Sequence, residues 1–155
     1  MHMFLTSNHY PCYYNYYDCY GAYVNFVSIG ACVDFDLGMG SGTIPDSNIN
    51  ASSVQSASTP ATNGRLNYTS GSSWCAGTSD KNPYLQIDLQ TLHIICAVST
   101  QGNSQADHWV KTYTLQLSTD GTTWTDYKEA GQVKVCHMGW LRIISYLDSI
   151  TVPKF

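Results

Sequence analysis

At 155 residues the chain has room for one domain with its own core, or one domain and a tail. Charged residues are only 12% of it while tyrosine alone occurs 12 times, and Ser, Thr, Gly and Asn are abundant, a composition that fits an extracellular β-sandwich and argues against a helical cytosolic enzyme. The formal net charge of −4 provides no basic footprint for nucleic acid and no strong attraction for anionic lipid.

Residues 1–31 are biased toward tyrosine, with Tyr13-Tyr14-Asn15-Tyr16-Tyr17 between Cys12 and Cys19. They show neither helical nor strand periodicity and read as a poorly structured leader or the remnant of another module. Met1-His2-Met3-Phe4-Leu5 lacks the basic start and continuous apolar stretch of a signal peptide, and no apolar run in the chain is long enough to span a membrane.

From Cys32 onward the pattern is β: short runs of Val, Ile, Leu, Thr and Tyr separated by clusters of Gly, Asn, Asp and Ser. Residues 44–51 form a turn feeding a strand, and 55–64 a loop of small polar residues. Leu85, Ile87 and Leu89 alternate with Gln86 and Asp88, predicting a half-buried strand. The nearly continuous apolar run 94–100 predicts a strand covered on both faces, and 102–108 a polar loop. Tyr113, Leu115 and Leu117 alternate with Thr114, Gln116 and Ser118, a second half-buried strand. Asp120-Gly121 is a hairpin signal, with 124–127 as the returning strand.

Six cysteines (12, 19, 32, 75, 96 and 136) suit an oxidising compartment, and their spacing leaves the pairing open. A bridge between Cys75 and Cys96 would tie the loop after Trp74 to the strand at 94–98 and contribute about 3 kcal/mol through chain entropy. The alternative is two buried free thiols. Asn50-Ala51-Ser52 and Asn67-Tyr68-Thr69 are N-glycosylation sequons, with Asn50 and Asn67 as acceptors. The histidines at 2, 9, 93, 108 and 137 have no H-E-x-x-H spacing, and there is no G-x-S-x-G elbow. Cys12 and Cys19 with His2 and His9 match no standard zinc spacing. The reading is of a protein that is not an enzyme and needs no cofactor or metal.

A series of motifs in fixed order carries a family resemblance. Asp36-Leu37-Gly38-Met39-Gly40-Ser41-Gly42-Thr43-Ile44-Pro45-Asp46-Ser47-Asn48-Ile49-Asn50-Ala51-Ser52-Ser53 comes first, then Gly64-Arg65-Leu66-Asn67, Trp74-Cys75 and Tyr84-Leu85-Gln86-Ile87-Asp88-Leu89. Val98-Ser99-Thr100-Gln101-Gly102, Trp109-Val110-Lys111-Thr112-Tyr113 and Ser118-Thr119-Asp120-Gly121-Thr122-Thr123-Trp124 follow. In this order they resemble the discoidin domain, the C-type domain of coagulation factors V and VIII, over about residues 32–135.

The resemblance implies an all-β jelly-roll sandwich with ligand-binding spikes at one open end. It implies a non-catalytic role outside the cell, in a secreted protein or the ectodomain of a longer one, in adhesion or in attachment to matrix and cell surface. The spikes correspond to residues 54–59 and 103–108, and the candidate contacts are Gln55, Ser56, Ser58, Thr59, Asn103, Ser104, Gln105, Asp107 and His108. Their amide, hydroxyl and carboxylate groups suit a glycan or glycoprotein, because sugars present hydroxyl pairs. Trp109 fits the same inventory as a nearby aromatic for a sugar's ring face, but it opens the following strand and is expected to turn into the core. Membrane-binding relatives carry bulky apolar residues on these spikes, whereas here the tips are polar, so insertion into phosphatidylserine bilayers is not expected. Collagen-binding relatives carry Trp where Gln55 stands and Arg where Asn103 stands. Structural calcium, known in some members, finds no defined ligand set here. Collagen or phosphatidylserine binding, and a truncated product without stable binding, are the alternative readings.

Cys32 stands at the family's first domain cysteine, whose usual partner closes the domain; Cys136 is the only downstream candidate and arrives early. Beyond Val135 the motifs stop. Residues 136–155 read as a divergent tail, and the sandwich as truncated at its C-terminal strands.

Overall fold

The computed structural model describes residues 2–6, 37–93, 95, 97–103, 105, 108–137 and 140–142. Among these residues ten strands occur in this order: β1 (His2–Thr6), β2 (Ile49–Ala51), β3 (Tyr84–Asp88), β4 (Ala97–Ser99), β5 (Thr112–Ser118), β6 (Thr125–Asp126), β7 (Lys128–Glu129), β8 (Gln132–Val133), β9 (Cys136–His137) and β10 (Trp140–Arg142). Among the described residues the helical elements are two short 3-10 turns, Asp46–Asn48 and Ala61–Gly64. The principal sheet has the order β2-β3-β1-β5-β6, with β9 also paired to β5. β10 pairs with β4, and β7 with β8, and every pairing is antiparallel. The fold is an all-β sandwich.

The alternation at 84–89 governs packing. Leu85 and Ile87 are completely buried, Leu89 nearly so, and Gln86 and Asp88 are half-buried on the other face. Ile49 lies opposite Ile87 in register and is buried with it. Met39, Ile44, Trp74, Ile95, Val98, Val110, Tyr113, Leu115, Tyr127 and Cys136 complete the cluster among the described residues. The apolar run at 94–100 forms its strand at β4, with Val98 completely buried.

β5 departs from simple alternation. Tyr113, Thr114 and Leu115 are all buried, whereas Leu117 is only half-buried. Both faces of the strand are therefore covered at its centre, and a period-2 pattern marks only strands with one face in water. The Asp120-Gly121 signal does mark the β5–β6 connection. The turn is wider than a two-residue hairpin loop, because Asp120 organises it: its Oδ1 accepts from the backbone N–H of Thr122 and of Thr123, both at 2.7 Å. Those backbone donors, with the Ser118 hydroxyl, hold the Asp120 carboxyl well below the usual carboxylate range. A two-residue turn does occur at β7–β8. Glu129 pairs with Gln132 across Ala130 (φ 49°) and Gly131 (φ 78°), the left-handed pair that matches strand twist.

Two expectations change at the ends. Residues 2–6, read as part of a leader, form β1, which lies between β3 and β5. Its partners are more than a hundred residues away on the β5 side, so no local pattern announces it. The rest of the 1–31 reading, Cys12 and Cys19 included, and Cys32 lie outside the described residues. Residues 136–137 and 140–142, read as a divergent tail, add strands to β5 and β4. Cys136 is buried and carries a free thiol. Burial pushes that thiol up to about 11, with the Lys134 ammonium pulling the other way.

The loop after Trp74 is fastened to β2 by one carboxylate. Asp80 Oδ2 accepts from the hydroxyls of Ser52, at 2.6 Å, and Ser53. Its Oδ1 accepts from the Asn82 N–H at 3.0 Å. Ser52 Oγ in turn accepts from the Tyr84 N–H, and Ser53 Oγ from the Gly77 N–H. Partial burial works to raise the Asp80 pKa, but these donors outweigh it and leave it lowered from its ordinary 3.8. A carboxyl whose folded pKa is depressed stabilises the fold above its unfolded pKa and loses that contribution as pH falls toward the folded value.

Two outcomes follow. Truncating Leu85→Ala should lower the unfolding free energy by about 2–5 kcal/mol in a urea titration, since no solvent reaches the site to refill it. The urea midpoint of the wild type should fall as pH drops below about 4, and Asp80→Asn should be less stable at neutral pH with a flatter acid limb. An unchanged acid limb in that variant would show that other carboxyls carry the pH dependence.

Candidate functional site

The loops at one end of the sandwich contain few apolar side chains, so polar contacts must set their shape. The first is the turn leading into β2. Gly38 sits at φ 109°, and a Cβ there would meet the Thr43 Cβ at 2.5 Å, so only glycine fits. Its carbonyl accepts from the N–H groups of Gly42 and Ile44. Arg65, arriving from the Ala61–Gly64 turn, closes this loop. Nη1 donates to the Met39 carbonyl at 3.2 Å, Nη2 to the Ile44 carbonyl at 2.7 Å, and Nε to Asp46 Oδ1 at 3.0 Å. The Arg65 side chain is only 16% exposed, so its bonds to the two carbonyls form partly out of water and count for most, whereas the Asp46 carboxylate is 69% exposed and adds no more than a surface ion pair.

Loop 54–60 hangs from the strand system at its base. Trp74 is buried and donates Nε1–H to the Ser53 carbonyl at 3.0 Å, and the Gln55 N–H donates to the Cys75 carbonyl at 2.8 Å. Gln55 is half-buried, and Val54, Ser56, Ala57 and Ser58 are exposed. The hydroxyls of Ser56 and Ser58 are 2.8 Å apart. Thr59 does not face solvent: it is 4% exposed, and its hydroxyl donates to the Ser56 carbonyl and accepts from the Ser56 N–H. It holds the loop rather than presenting a contact.

Loop 101–109 is closed by the Asn103 N–H donating to the His108 carbonyl at 2.8 Å, and by Asn103 Oδ1 accepting from the Gln105 N–H at 3.0 Å. Gln105 is exposed, while Asn103 and His108 are half-buried. His108 Nδ1 is shut off from solvent and has no hydrogen-bond partner among the described residues. Ser104 and Asp107 lie outside the described residues. Trp109 reverses its expected orientation. It is 40% exposed, and Val110 takes the inward position instead. β5 begins only at Thr112, so the strand alternation had no hold on Trp109.

Between these two loops lies a segment that sequence reasoning left without a role. The buried Asn63 donates from Nδ2 to the carbonyls of Ser58 and Ser72, at 3.1 and 2.7 Å, joining loop 54–60 to the chain at 65–72. On the other side Gln101 Oε1 accepts from the Asn67 N–H at 3.2 Å, and Gln105 Nε2 donates to the Thr69 carbonyl at 3.2 Å. Asn67 adopts φ 59°, which Asn tolerates better than most residues. The described residues of the three segments are thus hydrogen-bonded into one rim. Gly64-Arg65-Leu66-Asn67 was the available signal.

Both sequon asparagines are exposed. Asn50 lies on edge strand β2 and Asn67 in the middle of the rim. Cys75 is completely buried and disulfide-bonded, and Cys96 lies outside the described residues. Among the described residues no three His, Cys, Asp or Glu side chains converge in a way that could hold a metal ion. In the same residues no helix is long and apolar enough to cross a membrane.

The chain is similar to known proteins over the same stretch. The family model for the F5/8 type C domain matches residues 48–141, against the 32–135 expected from the motifs. Epithelial discoidin domain-containing receptor 1 of Homo sapiens is 40% identical over 102 residues, 61% of this chain and 11% of that protein. Neuropilin-1 of Homo sapiens is 36% identical over 100 residues, 62% of this chain and 11% of that protein. Neuropilin-1 of Xenopus laevis is 30% identical over 122 residues, 72% of this chain and 13% of that protein. The chain spans about a tenth of the length of these relatives. The matched stretch includes β2 to β9, the rim and most of the core, and on that ground the chain belongs to the F5/8 type C (discoidin) domain family and is a non-catalytic binding domain.

Proposed function

We propose that this domain acts outside the cell in adhesion or in attachment to matrix and cell surface, and that it holds a glycan or glycoprotein on the rim formed by 54–60, 65–72 and 101–109. The observation that carries the reading is the exposed indole of Trp109 beside a loop of amides. A sugar offers an apolar ring face and pairs of hydroxyls. An exposed indole supplies a flat apolar platform, and Gln55, Asn103 and Gln105, with Ser56 and Ser58, supply donors and acceptors in the inventory such hydroxyls need. Ser104, Asp107 and His108 belong to the same proposed surface. Loop 54–60 is held by Asn63 and Thr59 rather than by the ligand, so binding there costs little ordering entropy.

The disulfide at Cys75 supports an oxidising compartment. We assign its partner as Cys96, and Asn50 and Asn67 as glycan acceptors. Among the described residues the rim's exposed large apolar side chains are Val54 and Trp109, too few for a bilayer wedge, and Gln55 and Asn103 replace the Trp and Arg of collagen-binding relatives.

A glycan array followed by titration calorimetry tests this. Trp109→Ala should weaken the best glycan at least tenfold, about 1.4 kcal/mol, with the thermal midpoint little changed because the side chain is partly exposed. Wild-type protein that ignores glycans but binds phosphatidylserine vesicles or a collagen peptide would overturn the reading, as would undiminished glycan binding by the variant. In the secreted chain, non-reducing peptide mapping should join Cys75 to Cys96. A different partner would remove the proposed tie between the Trp74 loop and the strand at β4.

A further inference from the structure

β1 sits between β3 and β5, yet it comes from a distant part of the chain. Every residue of His2–Thr6 is paired on both sides: His2 with Asp88 and Ser118, Met3 with Ile87 and Leu117, and so on to Thr6 with Tyr84 and Thr114. Remove β1 and β3 stands two strand spacings from β5, about 9.5 Å. The facing backbone groups of both strands then lose their ladder, and the sheet has two new edges in its middle. The slot is thus one strand wide, and its register is specified by ten residues of β3 and β5.

Residues 7–36 separate β1 from Leu37, and every other described strand falls within 49–142. The same β1, presented by a second copy of the chain, would meet the same β3 and β5 residues in the same register. The contacts of the two arrangements are therefore equivalent, and only the tether distinguishes them. We propose that β1 is an exchangeable donor strand: β1 of one copy fills the slot between β3 and β5 of another, reciprocally, giving a domain-swapped dimer. The rim segments 54–60, 65–72 and 101–109 are untouched by the exchange, so the dimer displays two intact rims. A multivalent surface would bind such a pair more tightly than one rim without any new contact. The inference does not depend on what the rim binds.

The test uses two full-length chains, one heavy-isotope-labelled with His2→Cys and one unlabelled with Asp88→Cys, positions that face each other in register. They are mixed, equilibrated at low and high concentration, diluted, oxidised and mapped without reduction. We expect an isotope-mixed link joining residue 2 of the labelled copy to residue 88 of the unlabelled one. Internal and exchanged pairing compete, and only the exchanged one depends on protein concentration, so the link should grow at least tenfold between about 10 µM and about 1 mM protein. A single chain carrying both substitutions should form the link within one copy at the lower concentration. The unsubstituted chain should show a monomer and a concentration-dependent dimer by light scattering. If the double variant links internally and no isotope-mixed link forms at either concentration, β1 does not exchange and the proposal fails. If the double variant never links, β1 does not occupy the slot and the proposal fails at its base. A strictly monomeric unsubstituted chain at about 1 mM overturns it independently of any substitution.

Discussion

Arg65 joins by polar bonds two stretches of chain that both pack on the core, through Met39 and Ile44 on one side and Ala61 on the other. Its guanidinium bonds two carbonyls and a carboxylate of the loop 39–46 while its own backbone leaves the 3-10 turn Ala61–Gly64. The loop can then deliver Ile44 and Ile49 to the core, and the chain beyond Arg65 can run along the rim. A lysine could not replace this, because the planar fork reaches separate acceptors at fixed angles and an ammonium does not. Asn63 does the same on a smaller scale, with one amide holding two carbonyls. The described chain at 39–46 and 58–72 is therefore held together by polar bonds as well as by the core, which leaves its outward groups free to be polar.

That division explains what the residues disclosed in advance. β3 was legible because one face is buried, so Leu85 and Ile87 stand out against Gln86 and Asp88. β5 was legible as a strand but not in its burial, because Thr114 is covered by protein on a face that alternation assigns to solvent. The Ala130-Gly131 turn was missed because its first position carries Ala where Asn or Asp usually signals a left-handed residue. β1 was missed for a deeper reason. Its identity depends on partners at 84–88 and 114–118, and five residues without clear alternation say nothing about which two strands they will separate.

The site was legible in part. The motifs directed attention to both loops, and of their described residues Val54, Ser56, Ala57, Ser58 and Gln105 are exposed. The segment 65–72 joins them through bonds between residues 34 and 36 positions apart, which no local pattern encodes. Thr59 and Trp109 were assigned to opposite sides of the truth, one to the ligand and one to the core. In both cases the deciding factor is which side chain the backbone needs. Thr59 is consumed in closing its own turn, and Trp109 precedes the strand that would have directed it inward.

The buried thiol of Cys136 lies on β9 against Tyr113 of β5, near the carboxylate of Glu129 and the ammonium of Lys134. Only the thiolate attacks a disulfide, and burial holds this sulfur in its protonated form. In a chain with six cysteines that makes folding order consequential. Once β9 docks on β5, Cys136 leaves the pool of exchanging sulfurs, and mispairing is confined to the time before docking. The sulfur is also a clock. Its rate of reaction with an alkylating reagent in the native protein measures how often β9 lifts from the sheet, at a position no fluorophore or label need occupy.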